Sequence, residues 1–280
     1  MEKALVLGGG GITGMAWEAG ILAGLNENDV QFNHADVVLG TSAGSFIGSL
    51  LVNGYDMKSY YQYLAQHKDK NDQAKLSKDL YRRWVSAVID GGEDEVKVAK
   101  LFGEIAKDVK PVITSSERQK VVKVRLKDSQ WQSQLKIAAL DIETGQLKLF
   151  SQQDGISLMK AVTASGAVPG LWPTVEFKGH LYMDGGFVNS ANAMAVKEAK
   201  HIVVIAPLTQ KQGKLQSVRE DVEDLEKTQQ VTLITPNEKC KEVIGNNIYD
   251  ATNLEEIGRK GYEQGLKIAK HIDKVWKAKS

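Results

Sequence analysis

Residues 1–54 run strand, glycine turn, helix, and then the same again, and that order decides most of what the chain can become. Residues 3–8 (KALVLG) are a short apolar run of the kind that fills a buried strand. A glycine cluster follows. Met15, Ile21, Leu22 and Leu25 then fall at helical spacing between Gly14 and about Asn26. Residues 36–40 (DVVLG) read as a second strand, and Phe46, Ile47, Leu50 and Leu51 mark a second helix from Ser42 to Asn53. A helical crossover returns the chain to the same end of a sheet, so strands joined this way run parallel. The pattern predicts an α/β protein with a mainly parallel central sheet and helices packed on it.

The rest of the chain is less regular. Residues 55–120 are rich in Lys, Asp, Gln and Tyr and show no strand pattern before about 120. They read as a helical insertion or cap on a core of about 1–54 and 120–280, all within one domain, 1–280. Inside the cap, the polar run His67 to Lys75 reads as an exposed connection. Strand patterns return at 120–127 (KVVKVRLK), 134–140 and 146–151, with Thr144-Gly145 as a turn. Ser157 to Ala167 reads as a helix stopped by Pro169-Gly170. Residues 180–183 read as a short strand ending at Asp184, and about 190–199 as a helix. Two further buried strands are expected at 201–207 and 230–235, around a charged helix at 216–227. A last helix, about 251–278, sets Leu254, Ile257, Gly261, Ile268, Ile272 and Trp276 on one side.

Charge and cysteine content narrow the function classes. The net charge of +1 provides no overall field to gather nucleic acid or anionic lipid. One cysteine, Cys240, excludes an intrachain disulfide framework and suits a reducing compartment. No apolar run reaches 18 residues, and the N-terminal one is too short for a signal peptide. A cytoplasmic protein is expected, with peripheral membrane contact left open and no metal or cofactor required. The lysines of the last helix (Lys267, Lys270, Lys274, Lys277 and Lys279) read as a solvated face, and aromatics such as Tyr60, Tyr81 and Trp84 as core.

Three motifs carry chemistry. Gly40-Thr41-Ser42-Ala43-Gly44 matches G-x-S-x-G between a strand and a helix, the context in which a serine is raised on a sharp turn as a nucleophile. Its plain alternative is a small-residue turn. Gly8 to Gly11 and Gly14 let several backbone N–H groups converge on one point, which suits a developing oxyanion. Residues 9–14 also match G-x-G-x-x-G, but the second strand ends in GTSAG where a ribose-binding acid should stand. Asp184-Gly185-Gly186 ends a short strand; it is either a turn or the base that a nucleophilic serine needs. The five histidines, His34, His67, His180, His201 and His271, have no comparable context.

The glycine loop, GTSAG and a distant DGG, in that order, resemble the patatin-like phospholipases. The stretches 161–173 (AVTASGAVPGLWP) and 138–145 (AALDIETG) resemble further segments of that family. The resemblance implies a three-layer α/β/α fold and a Ser–Asp dyad without histidine, with Ser42 as nucleophile and Asp184 as base. It places the oxyanion hole on Gly9, Gly10 and Gly11, with Gly14, Gly40, Gly44, Gly185 and Gly186 supporting the motifs. It implies a serine-dependent lipid acyl hydrolase of phospholipase A, lysophospholipase or esterase type. The chain departs from the family at Thr13, where an Arg or Lys is usual. Two rivals stay open: a Ser–Asp–His triad with His201 or His271, and a non-catalytic acyl-binding protein on the same fold.

Overall fold

The structure, a computed structural model, describes residues 1–68 and 76–277. Most of the connection read at His67 to Lys75 lies outside the described residues, as does Lys279. Eight strands form a sheet: β1 (Lys3–Leu7), β2 (Val37–Thr41), β3 (Leu135–Asp141), β4 (Leu147–Phe150), β5 (Val175–Phe177), β6 (His180–Asp184), β7 (His201–Ile205) and β8 (Gln230–Ile234). Hydrogen-bonded pairing runs β5-β6-β3-β2-β1-β7-β8, with β4 also paired to β3. Strands β3, β2, β1, β7 and β8 are parallel, while β4, β5 and β6 pair antiparallel. The helices are α1 (Gly11–Asn26), α2 (Ala43–Val52), α3 (Met57–Gln66), α4 (Lys78–Gly91), α5 (Glu95–Asp108), α6 (Ser115–Leu126), α7 (Leu158–Ser165), α8 (Val218–Leu225), α9 (Glu238–Ile244) and α10 (Leu254–Trp276).

Because strand side chains alternate, each apolar strand feeds two cores. Leu5, Leu7, Val38, Ile137, Val203 and Ile205 point into a core shared with α1, α2, α7 and α10. Ala4, Val6, Leu39, Ala138, Ile202 and Val204 point the other way, onto Val218, Val222 and Leu225 of α8. The result is three layers, α/β/α. A third cluster joins Leu80 of α4 and Phe102 of α5 to Leu140 of β3 and its ladder partner Met183 of β6. Helix α1 is buried nearly all round because α10 covers it from outside. The two helices approach until glycine meets glycine. A Cβ on Gly261 would stand 2.6 Å from the Trp17 carbonyl oxygen, and one on Gly265 would stand 2.5 Å from that of Ile21.

Strand β3 creates the feature that matters for the site. Ala138 pairs with Leu149 of β4 and Thr41 of β2, so those two strands lie on opposite edges of β3. Ala139 pairs with Lys148 of β4 and Asp184 of β6. β2 and β6 therefore share one edge and run toward each other along it. They meet end to end, with Thr41 and Asp184 at consecutive positions of the ladder.

Two expectations fail. Residues 120–126 of the expected strand 120–127 are helical, within α6, and Lys127 is the cap that ends it. Their Lys/Val alternation imitates a strand, but Arg118, Val121, Val122, Arg125 and Leu126 are buried at helical spacing. The start is fixed by a capping box, in which Thr114 and Glu117 satisfy each other's backbone N–H groups. The helix expected at 190–199 is reduced to one 3₁₀ turn, Ala193–Val196, entered through Asn192 in the left-handed region at φ 56°. Strand β5 and helix α9 are additional to the expected elements.

Candidate active site

β2 ends at Thr41 and α2 starts at Ala43, so Ser42 alone turns the chain. It does so at φ 51° and ψ −114°. Such backbone strain in a residue with a Cβ costs about 1–3 kcal/mol and persists only where surroundings enforce it. Here three hydrogen bonds do. The Ser42 N–H donates to Ser165 Oγ at 2.8 Å. The Ser42 carbonyl accepts from the Ser45 N–H at 3.0 Å and from Ser45 Oγ at 2.6 Å. The helix must also start hard against β1: a Cβ on Gly44 would overlap the Leu7 carbonyl. Gly40 lies beneath Gly44 and Ser45 in the same packing. Ser42 is left half-buried at the positive end of α2.

Asp184 arrives from the other side of the seam, buried, and shares the floor of one cavity with the Ser42 side chain. The Gly186 N–H donates to Asp184 Oδ1 at 2.8 Å, and Gly185 packs on the Ala138 carbonyl. Burial pushes the Asp184 pKa up to about 7; the nearby Ser42 hydroxyl, the Gly186 N–H and the charge of Arg118 pull in the opposite direction without cancelling it. Asn192 ties the two strand ends together. Its Nδ2 donates to Thr41 Oγ1 and to the Gly185 carbonyl, both at 3.1 Å.

The glycine loop lies beside Ser42. The Gly9 N–H donates to the Ser190 carbonyl at 2.7 Å, so of the three amides expected to face an oxyanion this one is already occupied. Those of Gly10 and Gly11 have no protein acceptor among the described residues. Gly14 sits a turn further on, bonded to the Gly10 carbonyl at 2.8 Å. Thr13 is buried and closes the loop internally, its Oγ1 donating to the carbonyls of Gly10 and Ile248, each at 3.3 Å.

A cavity of about 470 Å³ opens over this arrangement. Ser42, Asp184 and Gly9 to Gly11 form its floor, while Trp84, Val88, Phe102, Phe187 and Leu208 make apolar walls. A second, small recess on the other side of Ser42 is lined by Gly11, Ala43, Arg118, Trp172 and Tyr249. The Arg118 guanidinium stacks on Trp172 at 4.4 Å, and Trp172 meets Tyr249 edge-on at 5.5 Å. Of the aromatics expected to be core, Tyr81 is instead 56% exposed at the cavity's edge, and Trp84 both packs against the third core cluster and walls the cavity. None of the five histidines lines either space. His180 starts β6, at the far end from Asp184, where Nδ1 bonds Asp141 Oδ2 at 2.7 Å. Among the described residues no cluster of His, Cys, Asp or Glu is arranged to hold a metal ion.

Arg118, Asn192 and Tyr249 escaped the sequence reading. Arg118 would have stood out, with Arg125, as a cation on the buried stripe of α6, had that segment been read as a helix. Asn192 and Tyr249 lie in irregular chain, where periodicity gives no signal.

Comparison with known proteins gives a consistent result. A family model described as patatin-like phospholipase matches residues 5–197. Lysophospholipase NTE1 of Lodderomyces elongisporus is 26% identical over 214 residues, which are 72% of this chain and 12% of that protein. Patatin-like phospholipase domain-containing protein 7 of Rattus norvegicus is 28% identical over 209 residues, 72% of this chain and 13% of that protein. The chain thus spans only 12% to 13% of the length of these relatives. Among solved structures, VipD from Legionella pneumophila aligns with 96% of this chain and 67% of its own, at 14% identity and a TM-score of 0.49.

Proposed function

The chain belongs to the patatin-like phospholipase family, and from that membership we propose that it hydrolyses carboxylic esters of lipids through a Ser42–Asp184 dyad. The observation that carries this reading is the convergence of Ser42 and a buried carboxylate, its pKa raised to about 7, on the floor of one apolar cavity. A base with that pKa is half ionised near neutrality, where it takes a proton far more readily than an ordinary Asp.

Asp184 accepts the Ser42 proton as Oγ attacks the ester carbonyl. The oxyanion forms against the free amides of Gly10 and Gly11, at the positive end of α2. The tetrahedral intermediate collapses, and the leaving alkoxide takes the proton from Asp184. Asp184 then removes a proton from water, the hydroxide attacks the acyl-serine, and the acid leaves as Ser42 regains its proton. The acyl chain occupies the apolar cavity. Whether the ester is a phospholipid, a lysophospholipid or an acylglycerol is decided by a substrate panel.

Ser42→Ala and Asp184→Asn each lower turnover of a nitrophenyl acyl ester on the order of 10⁴-fold. A fluorophosphonate probe labels the parent protein at Ser42. Full turnover by either variant, or absence of Ser42-dependent labelling and hydrolysis, rejects the reading in favour of an acyl-binding protein.

A further inference from the structure

Helix α4 turns apolar side chains both inward and outward. Leu80, Ala87 and Gly91 are buried against α5 and its neighbours. Tyr81, Val85 and Ile89, four residues apart, are 56%, 39% and 70% exposed. Single exposed apolar residues are ordinary on a protein surface, but a continuous row is not. This row also lines the cavity that holds Ser42 and Asp184. The same side chains therefore face the cavity at one edge and solvent at the other.

The charges beside the row have one sign. At about 100° per residue, Lys78, Tyr81, Arg82, Val85 and Ile89 fall within an arc of about 100°. Lys78 and Arg82 are exposed there. The acidic residues of the helix, Asp79 and Asp90, fall outside that arc. An apolar stripe flanked by cations matches the boundary between acyl chains and phosphate head groups in a bilayer.

We propose that this face of α4 docks on a phospholipid bilayer. Tyr81, Val85 and Ile89 enter the acyl boundary, and Lys78 and Arg82 meet lipid phosphates. A lipid can then slide along the row into the cavity with its chain never exposed to water. The choice of a bilayer as occupant rests on the lipid-hydrolase reading above. Continuity of the exposed row with the cavity wall favours it over a protein partner, which would close the mouth.

The test uses the full chain carrying Ser42→Ala, so that the lipid survives, floated with phosphatidylcholine vesicles with and without phosphatidylglycerol. The chain is expected to float with both and more strongly with the anionic ones. Ile89→Asp should reduce flotation about tenfold or more on both. Lys78→Glu with Arg82→Glu should reduce it about tenfold on the anionic vesicles and, in the Ser42 background, leave turnover of a water-soluble nitrophenyl ester unchanged. Flotation of Ile89→Asp equal to that of the parent overturns the proposal. So does a substitution that only turns a dimer into a monomer in sedimentation, which would make a second copy the occupant. Ser42-dependent ester turnover without flotation removes the docking proposal alone. Flotation that depends on α4 without any ester turnover removes the hydrolase reading alone.

Discussion

Asp184 is costly to the folded protein for the same reason that it suits a base. Its pKa is 3.8 in an ordinary environment and about 7 here, so the folded state holds the proton over a range in which the unfolded chain has released it. A raised folded-state pKa contributes stability that is complete below the unfolded value and disappears as pH rises through the folded one. Between about pH 4 and pH 7 this advantage is lost. Asp184→Asn, which cannot ionise, should therefore gain on the parent as pH rises, by up to about 4 kcal/mol on the alkaline side. Urea midpoints at pH 5 and pH 8 measure this; a difference that does not grow with pH contradicts it. In the active protein, kcat/KM should fall about tenfold per unit on the acid side of an apparent pKa near 7, because the base must be ionised to act. At this scale the sequence was informative wherever a motif names its own geometry. G-x-S-x-G told of the turn at Ser42, and DGG of the carboxylate. It was silent where a role depends on contacts alone. Nothing local says that Gly9 spends its N–H on Ser190, or that Asn192 spans Thr41 and Gly185.

The helices and strands divide along a similar line. Short apolar runs set beside glycine turns or motifs, such as α1, α2, β1 and β7, were legible, since their all-round burial leaves few other conformations. α6 was not, because a Lys/Val alternation competed with a helical stripe, and the Thr114–Glu117 capping box decided between them. The contact of α1 with α10 shows what periodicity misses. Gly261 could be placed on the inner side of the last helix, but not against a particular partner. The structure sets it on the Trp17 carbonyl with no room for a methyl group. Gly261→Val must push the helices apart, costing about 1–3 kcal/mol or more. The expected result is a lower melting temperature with the Ser42 site still labelled by a fluorophosphonate at low temperature. An unchanged melting temperature would show that the helices separate freely.

At the scale of the molecule, the family match stops at residue 197, yet the fold does not. β7 pairs with β1 in the middle of the sheet, α10 covers α1, and Ile248 and Tyr249 reach back to the glycine loop and the recess beside Ser42. A chain ending before Glu238 lacks α9, α10 and that return segment. It should lose soluble expression or, failing that, all Ser42-dependent ester turnover, as an expression and activity assay would show; an active truncated chain would make the C-terminal part dispensable. The α/β class was readable from the first 54 residues because crossovers force parallel pairing. Which strands become neighbours was not, since that depends on pairings distant in sequence. The meeting of β2 and β6 on a single edge of β3 has a consequence for how such a protein can change. The spacing of Ser42 and Asp184 is measured along one rail, by ladder hydrogen bonds, and is indifferent to how much chain is spooled out between them. Helices can be added to or removed from the cap without disturbing this pair, whereas one extra residue between Ala138 and Ala139 would swing the carboxylate to the opposite side of the sheet from Ser42 with the rest of the ladder kept.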